Sequence, residues 1–218
     1  MTNLLGYALI IAQALGTTIF LSIACFTIGG LAAVPVVVAR LSESRLARAV
    51  AQGFIAIVRG VPPITWLLII FFGLPQLGLR LPSMVAGIFG LSLICSAYLA
   101  EIYRAGWLAL PKGQFEACKA IGLTSAAAFR KVIAPQAFVT ILPMAITFFI
   151  GLLKETSFVS VIGVREVTET ALSLSRTEPD PFDVFMAAGL IYLAISLPIG
   201  IAGRITAPWV ARRFGMAS

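Results

Sequence analysis

The chain has no histidine, only three cysteines and few charges: 9 Asp and Glu with 16 Lys and Arg among 218 residues, 11% in all. Without histidine there is no Ser-His-Asp triad, no Cys-His pair and no imidazole-ligated metal. The cysteines, at 25, 95 and 118, form neither a CxxC metal motif nor a disulfide framework. No GxxxxGK[ST] phosphate loop occurs, and Lys112-Gly113 is no substitute for one. Soluble domains carry roughly 25% charged and about 45–50% apolar residues. Here 60% are hydrophobic and the mean hydropathy is +1.02. A soluble fold of this length leaves about 30% of its chain surface in water and could not hide so much apolar area. Disorder requires low hydrophobicity and is excluded by the same figures. The net charge of +7 is therefore first a question of membrane sidedness, and only then of nucleic acid.

What the sequence does have is long charge-free runs. Residues 1–39, 60–79, 81–100, 132–153 and 184–203 carry no charge, windows of 39, 20, 20, 22 and 20 residues. A helix needs about 20 apolar residues to cross a bilayer. The expected fold is all-α and integral to the membrane, a single transmembrane domain over 1–218. Its five transmembrane helices fall at about 17–38, 60–79, 82–103, 134–154 and 184–204. The first window is too long for one span and too short for two. Residues 3–15 therefore read as a helix in the interface or leaning on the bundle, broken from the first span at Gly16. No Lys or Arg precedes this run, unlike a cleaved signal peptide. Pro75, Gly78 and Pro82 mark the link between the second and third spans. Pro35, Pro143 and Pro198 fall in or near spans, where membrane helices tolerate them. No two of the 19 glycines are four apart, so a GxxxG face is absent.

Five spans place the termini on opposite sides. One side collects twelve basic residues between Arg40 and Arg213 and three acids, Glu43, Glu101 and Glu116, for a net +9. The other holds Arg80, Lys154, Arg165 and Arg176 against six acids, Glu155, Glu166, Glu169, Glu178, Asp180 and Asp183, for a net −2. The positive-inside rule puts the +9 face in the cytoplasm, the N terminus outside and the C terminus inside. No nucleic acid is needed to explain the basic surplus.

The cytoplasmic loop 105–135 reads as a helix–turn–helix. Pro111-Lys112-Gly113 is a turn, and residues 114–121 form a short helix that Gly122 ends at C′. Thr124 or Ser125 caps a second helix running to Ala134, which Pro135 stops or converts into the next span. Glu116-Ala117-Cys118, then Gly122, then Val132, Ala134 and Pro135 resemble the EAA loop of ATP-binding-cassette importer permeases. That pattern is Glu-Ala-Ala, three residues, Gly, nine residues, Ile-x-Leu-Pro. Its spacing fits at all twenty positions, with Cys118, Val132 and Ala134 as small or apolar replacements. Further segments are similar to the polar amino-acid uptake, binding-protein-dependent branch of the family: Arg59-Gly-Val-Pro62, Glu101-Ile-Tyr-Arg-Ala-Gly106, Pro111-Lys-Gly-Gln-Phe-Glu116-Ala, and Leu152-Leu-Lys-Glu-Thr-Ser157. Together the matches cover about residues 15–205.

The resemblance implies a permease subunit of the bacterial cytoplasmic (inner) membrane. It would pass a polar amino acid or a derivative by alternating access, with no catalytic residue of its own and no metal. It implies that Gly113, Glu116, Ala117, Cys118, Gly122 and Pro135 couple the spans to an ATPase subunit, the hairpin docking helix-in-groove. The implied partners are ATP-binding-cassette ATPase subunits, a second permease copy or paralogue, an extracytoplasmic solute-binding protein and membrane lipid, but no nucleic acid. No cofactor is bound by this chain; ATP and magnesium belong to the ATPase.

Six residues are candidates for the substrate pathway or its gate. Glu101 and Arg104, i,i+3 at the inner end of the third span, either pair on one face or snorkel to the interface. Lys154, Glu155, Thr156 and Ser157 follow the 22-residue run and either meet the substrate or cap the span at the outer interface. Residues 158–176, with Val161, Val164, Val167, Ala171 and Leu174, read as a short amphipathic helix on the outer side. Two other classes compete. A passive channel has no use for an EAA-like hairpin. A lipid-modifying membrane enzyme needs converging acids or ligands, and the cytoplasmic acids are scattered at 43, 101 and 116.

Overall fold

The computed structural model describes residues 4–179 and 181–213. Residue 3 of the leading segment, Asp180, and the side chains of Arg212 and Arg213, all used in the sequence reading, lie outside that description. Every regular element among the described residues is helical. In order they are α1 (Leu4–Ala12), α2 (Leu15–Leu41), α3 (Arg45–Gly60), α4 (Pro63–Leu68), α5 (Ser83–Leu108), α6 (Lys112–Ala120), α7 (Ser125–Ala128), α8 (Ala134–Glu155), α9 (Val167–Ser175) and α10 (Pro181–Arg213). Four stretches are long and apolar enough to cross a membrane: Leu15–Leu41, Ser83–Leu108, the continuous run Ser125–Ile162, and Pro181–Thr206. The fifth is a bent pair, α3 joined to Pro63–Leu77 at 99°, which brings the number of spans to five when counted as one.

That bend changes the second span. Residues 60–79 do not form one straight helix. Val61 is extended (φ −100) ahead of Pro62 and Pro63, because proline forces its predecessor out of the helical region and has no N–H to continue the ladder. Trp66 Nε1 donates to the Val58 carbonyl at 3.0 Å, satisfying an acceptor that the end of α3 leaves open. From Pro63 the chain winds as α4, a π turn (Ile69–Gly73) and a 3-10 turn (Leu74–Leu77) that closes on Gly78. The expected spans leave 39–59 unassigned, because Arg45, Arg48 and Arg59 interrupt any apolar run there. The buried residues of α3, Ala51, Ile55 and Val58, nevertheless recur at helical spacing, and Ser44 caps it by accepting from the Ala47 N–H.

The centre of the bundle is the α2–α5 pair. In lipid no hydrophobic force drives helices together, so association depends on backbones approaching closely past small residues. Gly29 shows this: a Cβ there would collide with the Cys95 Cβ and lie 2.9 Å from the Ser92 carbonyl oxygen. α3, α4, α8 and the segment 156–164 close around this pair, with Leu67, Leu91, Leu152 and Val159 fully or almost fully buried. A second cluster joins Tyr7 and Ile11 of α1 to Val167 and Ala171 of α9 and Val184 and Ala187 of α10. The leading helix therefore leans on the bundle, and its break comes at Gln13-Ala14, ahead of Gly16.

Two further elements differ from their expected form. The hairpin's second arm has no end of its own. α7 passes through a π turn (Phe129–Ile133) directly into α8. The widened turn sits where Pro135 withholds the N–H that would have bonded the Lys131 carbonyl. The segment 158–176 is also not one helix. A 3-10 stretch (Thr156–Ile162) ends at Gly163 (φ +78), and α9 restarts from a Glu166 cap.

Candidate functional site

α6 has a defined stop and two distinct faces. Gly122 adopts φ +73, the Leu123 N–H bonds the Cys118 carbonyl at 3.0 Å, and the Gly122 N–H bonds the Lys119 carbonyl at 3.0 Å. These two bonds form a Schellman stop, which needs a left-handed residue at C′. Thr124, rather than Ser125, then caps α7 by accepting from the Ala127 N–H. The inner face of α6 is pinned to the spans. Phe115 packs edge-on against Trp107 of α5, with centroids 5.4 Å apart. Gln136 Nε2 of α8 donates to Gln114 Oε1 at 3.0 Å.

The outer face of α6 carries Gly113, Glu116, Ala117 and Ala120, all exposed and spaced i, i+3, i+4, i+7. Glu116 is in neither of the ion pairs found among the described residues. Of the six expected coupling residues, Gly113, Glu116, Ala117 and Gly122 are therefore exposed. Cys118 is 4% exposed and faces inward as an anchor. Pro135 is half-buried in the first turn of α8. The spacing alone did not separate the two faces because the start of α6, at Lys112, fell inside the expected turn.

The six expected pathway residues form two groups. Arg104 donates to both Glu101 oxygens: Nη2 and Nε reach Oε2 at 2.8 and 3.1 Å, and Nε reaches Oε1 at 3.2 Å. Arg40 Nε donates to the same carboxylate at 3.4 Å, and Arg40 Nη1 donates to Gln52 Oε1 at 3.4 Å. Arg40 thus ties α2 to α5 through Glu101 and to α3 through Gln52, a role for Arg40 and Gln52 that no sequence spacing announces. The other group lies at the far end of α8. Gly106, five residues past Glu101, packs level with Ala137 and Ile141, which puts Lys154 roughly 12 Å from Glu101 along the helix axis. Lys154 is exposed, Glu155 and Ser157 are half-buried, and Thr156 is buried, donating to the Leu153 carbonyl at 2.7 Å.

A third polar cluster lies near this second group. Glu166 is fully buried. It caps α9 by accepting from the Glu169 N–H at 2.8 Å and accepts from the Tyr192 hydroxyl of α10 at 2.7 Å. Thr18 of α2 accepts from the Val167 N–H beside it. Burial pushes the Glu166 carboxyl above its ordinary range, against the hydrogen bonds from Tyr192 and the backbone N–H groups. Glu is not a usual N-cap residue, so neither this cap nor the Tyr192 partner, 26 residues away, is announced by local spacing.

A cavity of about 960 Å³ opens between α2 and α8, lined by Phe26, Val37, Leu41, Trp107, Phe138 and Ile141 among others. Pockets of this size are the usual first guess for a ligand site. Among the described residues of its wall, Ser42, Tyr103 and Trp107 alone carry polar side-chain atoms and none is charged, so it suits apolar chains better than a charged solute.

Comparison with known proteins gives one consistent picture. The family model described as binding-protein-dependent transport system inner membrane component matches residues 25–215. The chain is 35% identical over 193 residues to a probable amino-acid permease, YxeN, of Bacillus subtilis, covering 85% of this chain and 84% of that one. It is 30% identical over 205 residues to the histidine/lysine/arginine/ornithine transport system permease HisQ of Salmonella typhimurium, covering 88% and 90%. Among solved structures, an amino acid ABC transporter crystallised with histidines superposes with TM-score 0.86 at 34% identity, over 93% of this chain and 95% of that one. The methionine transporter MetNI superposes with TM-score 0.77 at 19% identity, over 96% and 99%, a likeness of fold.

Proposed function

The chain belongs to the family of binding-protein-dependent transport system inner membrane components, and on that premise we propose which solute it moves and how. It is a multi-pass permease subunit of the bacterial inner membrane. Its solute is a polar amino acid or a close derivative, a reading supported by the amino-acid permeases it resembles. The +9 face of the bundle, with α6, is cytoplasmic, and the N terminus lies outside.

The observation that carries the mechanism is the two-faced α6. Its small, exposed outer face fits into a groove on an ATPase subunit, and its inner face is fastened to α5 and α8 through Phe115–Trp107 and Gln114–Gln136. ATP and magnesium are held by that ATPase. When the ATPase dimer closes, α6 is pulled and the spans to which it is fastened tilt, exchanging inward- and outward-open states. A second permease copy or paralogue completes the pathway, and an extracytoplasmic solute-binding protein delivers the solute. The Arg40–Glu101–Arg104 network holds the α6 ends of α2, α3 and α5 in one body, so the pull moves them together. Lys154 to Ser157 line the opposite end of the route.

The test is ATP-driven amino-acid uptake into liposomes holding the whole complex, with Glu116→Lys and Ala117→Trp on the outer face of α6. Both variants are expected to lose most uptake while the complex still inserts. Wild-type uptake in both would remove α6 from the coupling path.

A further inference from the structure

Both ion pairs among the described residues fall on one acid, Glu101, which takes Arg40 and Arg104. Arg59, in the last turn of α3 and on the same part of the bundle, is left with no carboxylate. Its guanidinium carbon lies 4.6 Å from the ring centroid of Tyr98 on α5. Tyr98 in turn stacks on Phe148 of α8, with centroids 5.5 Å apart and planes at 20°, and Phe148 tilts against Phe26 of α2 at 6.5 Å. Glu101 is one helical turn from Tyr98, but its oxygens are already occupied.

The depth matters. Tyr98 lies five residues inside the expected inner end of the third span at 103, about 8 Å along the helix, and so within the roughly 30 Å hydrocarbon layer. An arginine at such depth is costly and marks a solute or ion route. A cation–π contact draws on the charge of the guanidinium and does not consume its N–H donors. Those donors suit a fork-to-fork carboxylate contact. Arg59 is exposed, so a solute can reach it. The Val61–Pro63 break lies next to it in the chain.

We propose that Arg59, held on Tyr98, binds the α-carboxylate of the transported amino acid on its way through the membrane. The proposal rests on the amino-acid importer reading given above. Tyr98 and Phe148 form the floor of the site and keep water from competing with the carboxylate.

The test uses the wild-type complex, with permease pair, ATPase subunits and binding protein in liposomes. Arginines are modified with phenylglyoxal, and the Arg59 peptide is followed by mass spectrometry. The probes are a mixture of the proteinogenic L-amino acids and the matching mixture of amino-acid amides, which lack the carboxylate. The amino acids are expected to slow Arg59 modification severalfold relative to the amides. Equal rates with amino acids, amides and buffer would overturn the proposal. So would strong protection in all three, the outcome if a lipid phosphate or a carboxylate of the second copy held Arg59.

As a second reading, Arg59→Gln is expected to erase roughly tenfold or more of the preference for amino acid over amide in uptake, the worth of one charged hydrogen-bonded contact. Arg59→Lys should keep part of it. An unchanged preference in Arg59→Gln overturns the site. Wild-type complex that takes up no amino acid overturns the importer reading and the site with it. Uptake with Arg59 unprotected overturns the site alone.

Discussion

At Gly122 a side chain would meet no atom within 4 Å, yet the backbone stands at φ +73. The cost of replacing it is therefore conformational and not steric. Gly122→Val is expected to destabilise the α6 stop by about 1–2 kcal/mol, and Gly122→Asn by less, since Asn visits the left-handed region more easily. Protease cutting in 105–135 of the purified protein checks this: faster in Val than in Asn, and equal rates would contradict it. Glu166 gives a prediction of a different kind. Its folded-state carboxyl is raised by burial, so the folded chain holds the proton to higher pH than the unfolded chain. The stability this contributes is complete below the ordinary carboxyl range and is lost as pH rises through the raised value. Glu166→Gln keeps an acceptor for Tyr192 and has no charge to bury. Melting in detergent should thus show the Gln variant gaining on the wild type as pH rises from 4 to 8, and a constant difference would contradict the assignment.

Between elements, the close α2–α5 contact sets the tolerance to change. Gly29→Leu places its side chain against the Cys95 Cβ and the Ser92 carbonyl. Overpacking costs about 1–3 kcal/mol when neighbours can shift, and here backbone would have to shift. Loss of folded protein in a detergent melting assay is expected for Gly29→Leu, whereas Gly151→Leu, where a Cβ meets nothing, should melt near the wild type. The elements were unevenly legible in the sequence. α2, α5, α8 and α10 stand out because charge-free runs of bilayer length have few other uses. α3 was hidden because its arginines broke the run, and its apolar positions face the bundle on one side only. The α6 stop was visible in Gly122, but the inward turn of Cys118 was not, since it depends on Trp107 and Phe115 meeting in space. The Arg40–Glu101 and Arg59–Tyr98 contacts join residues 61 and 39 positions apart, and local spacing carries no record of them.

The molecule as a whole separates its tasks by place. The cavity between α2 and α8 is almost wholly apolar, and the charged groups sit on the α3–α4 break, the α2–α5 ends and the far end of α8. α6 stands on the basic face, away from the acids near α9, and the sequence has no motif for holding nucleotide phosphates. The central proposal is that solute moves only when a separate ATPase acts on this chain. The most direct measurement is amino-acid uptake into liposomes carrying this chain alone, or this chain with its ATPase and binding protein, with and without ATP. The account predicts uptake only in the complete complex supplied with ATP. Steady flux through the chain alone, independent of ATP, would contradict it.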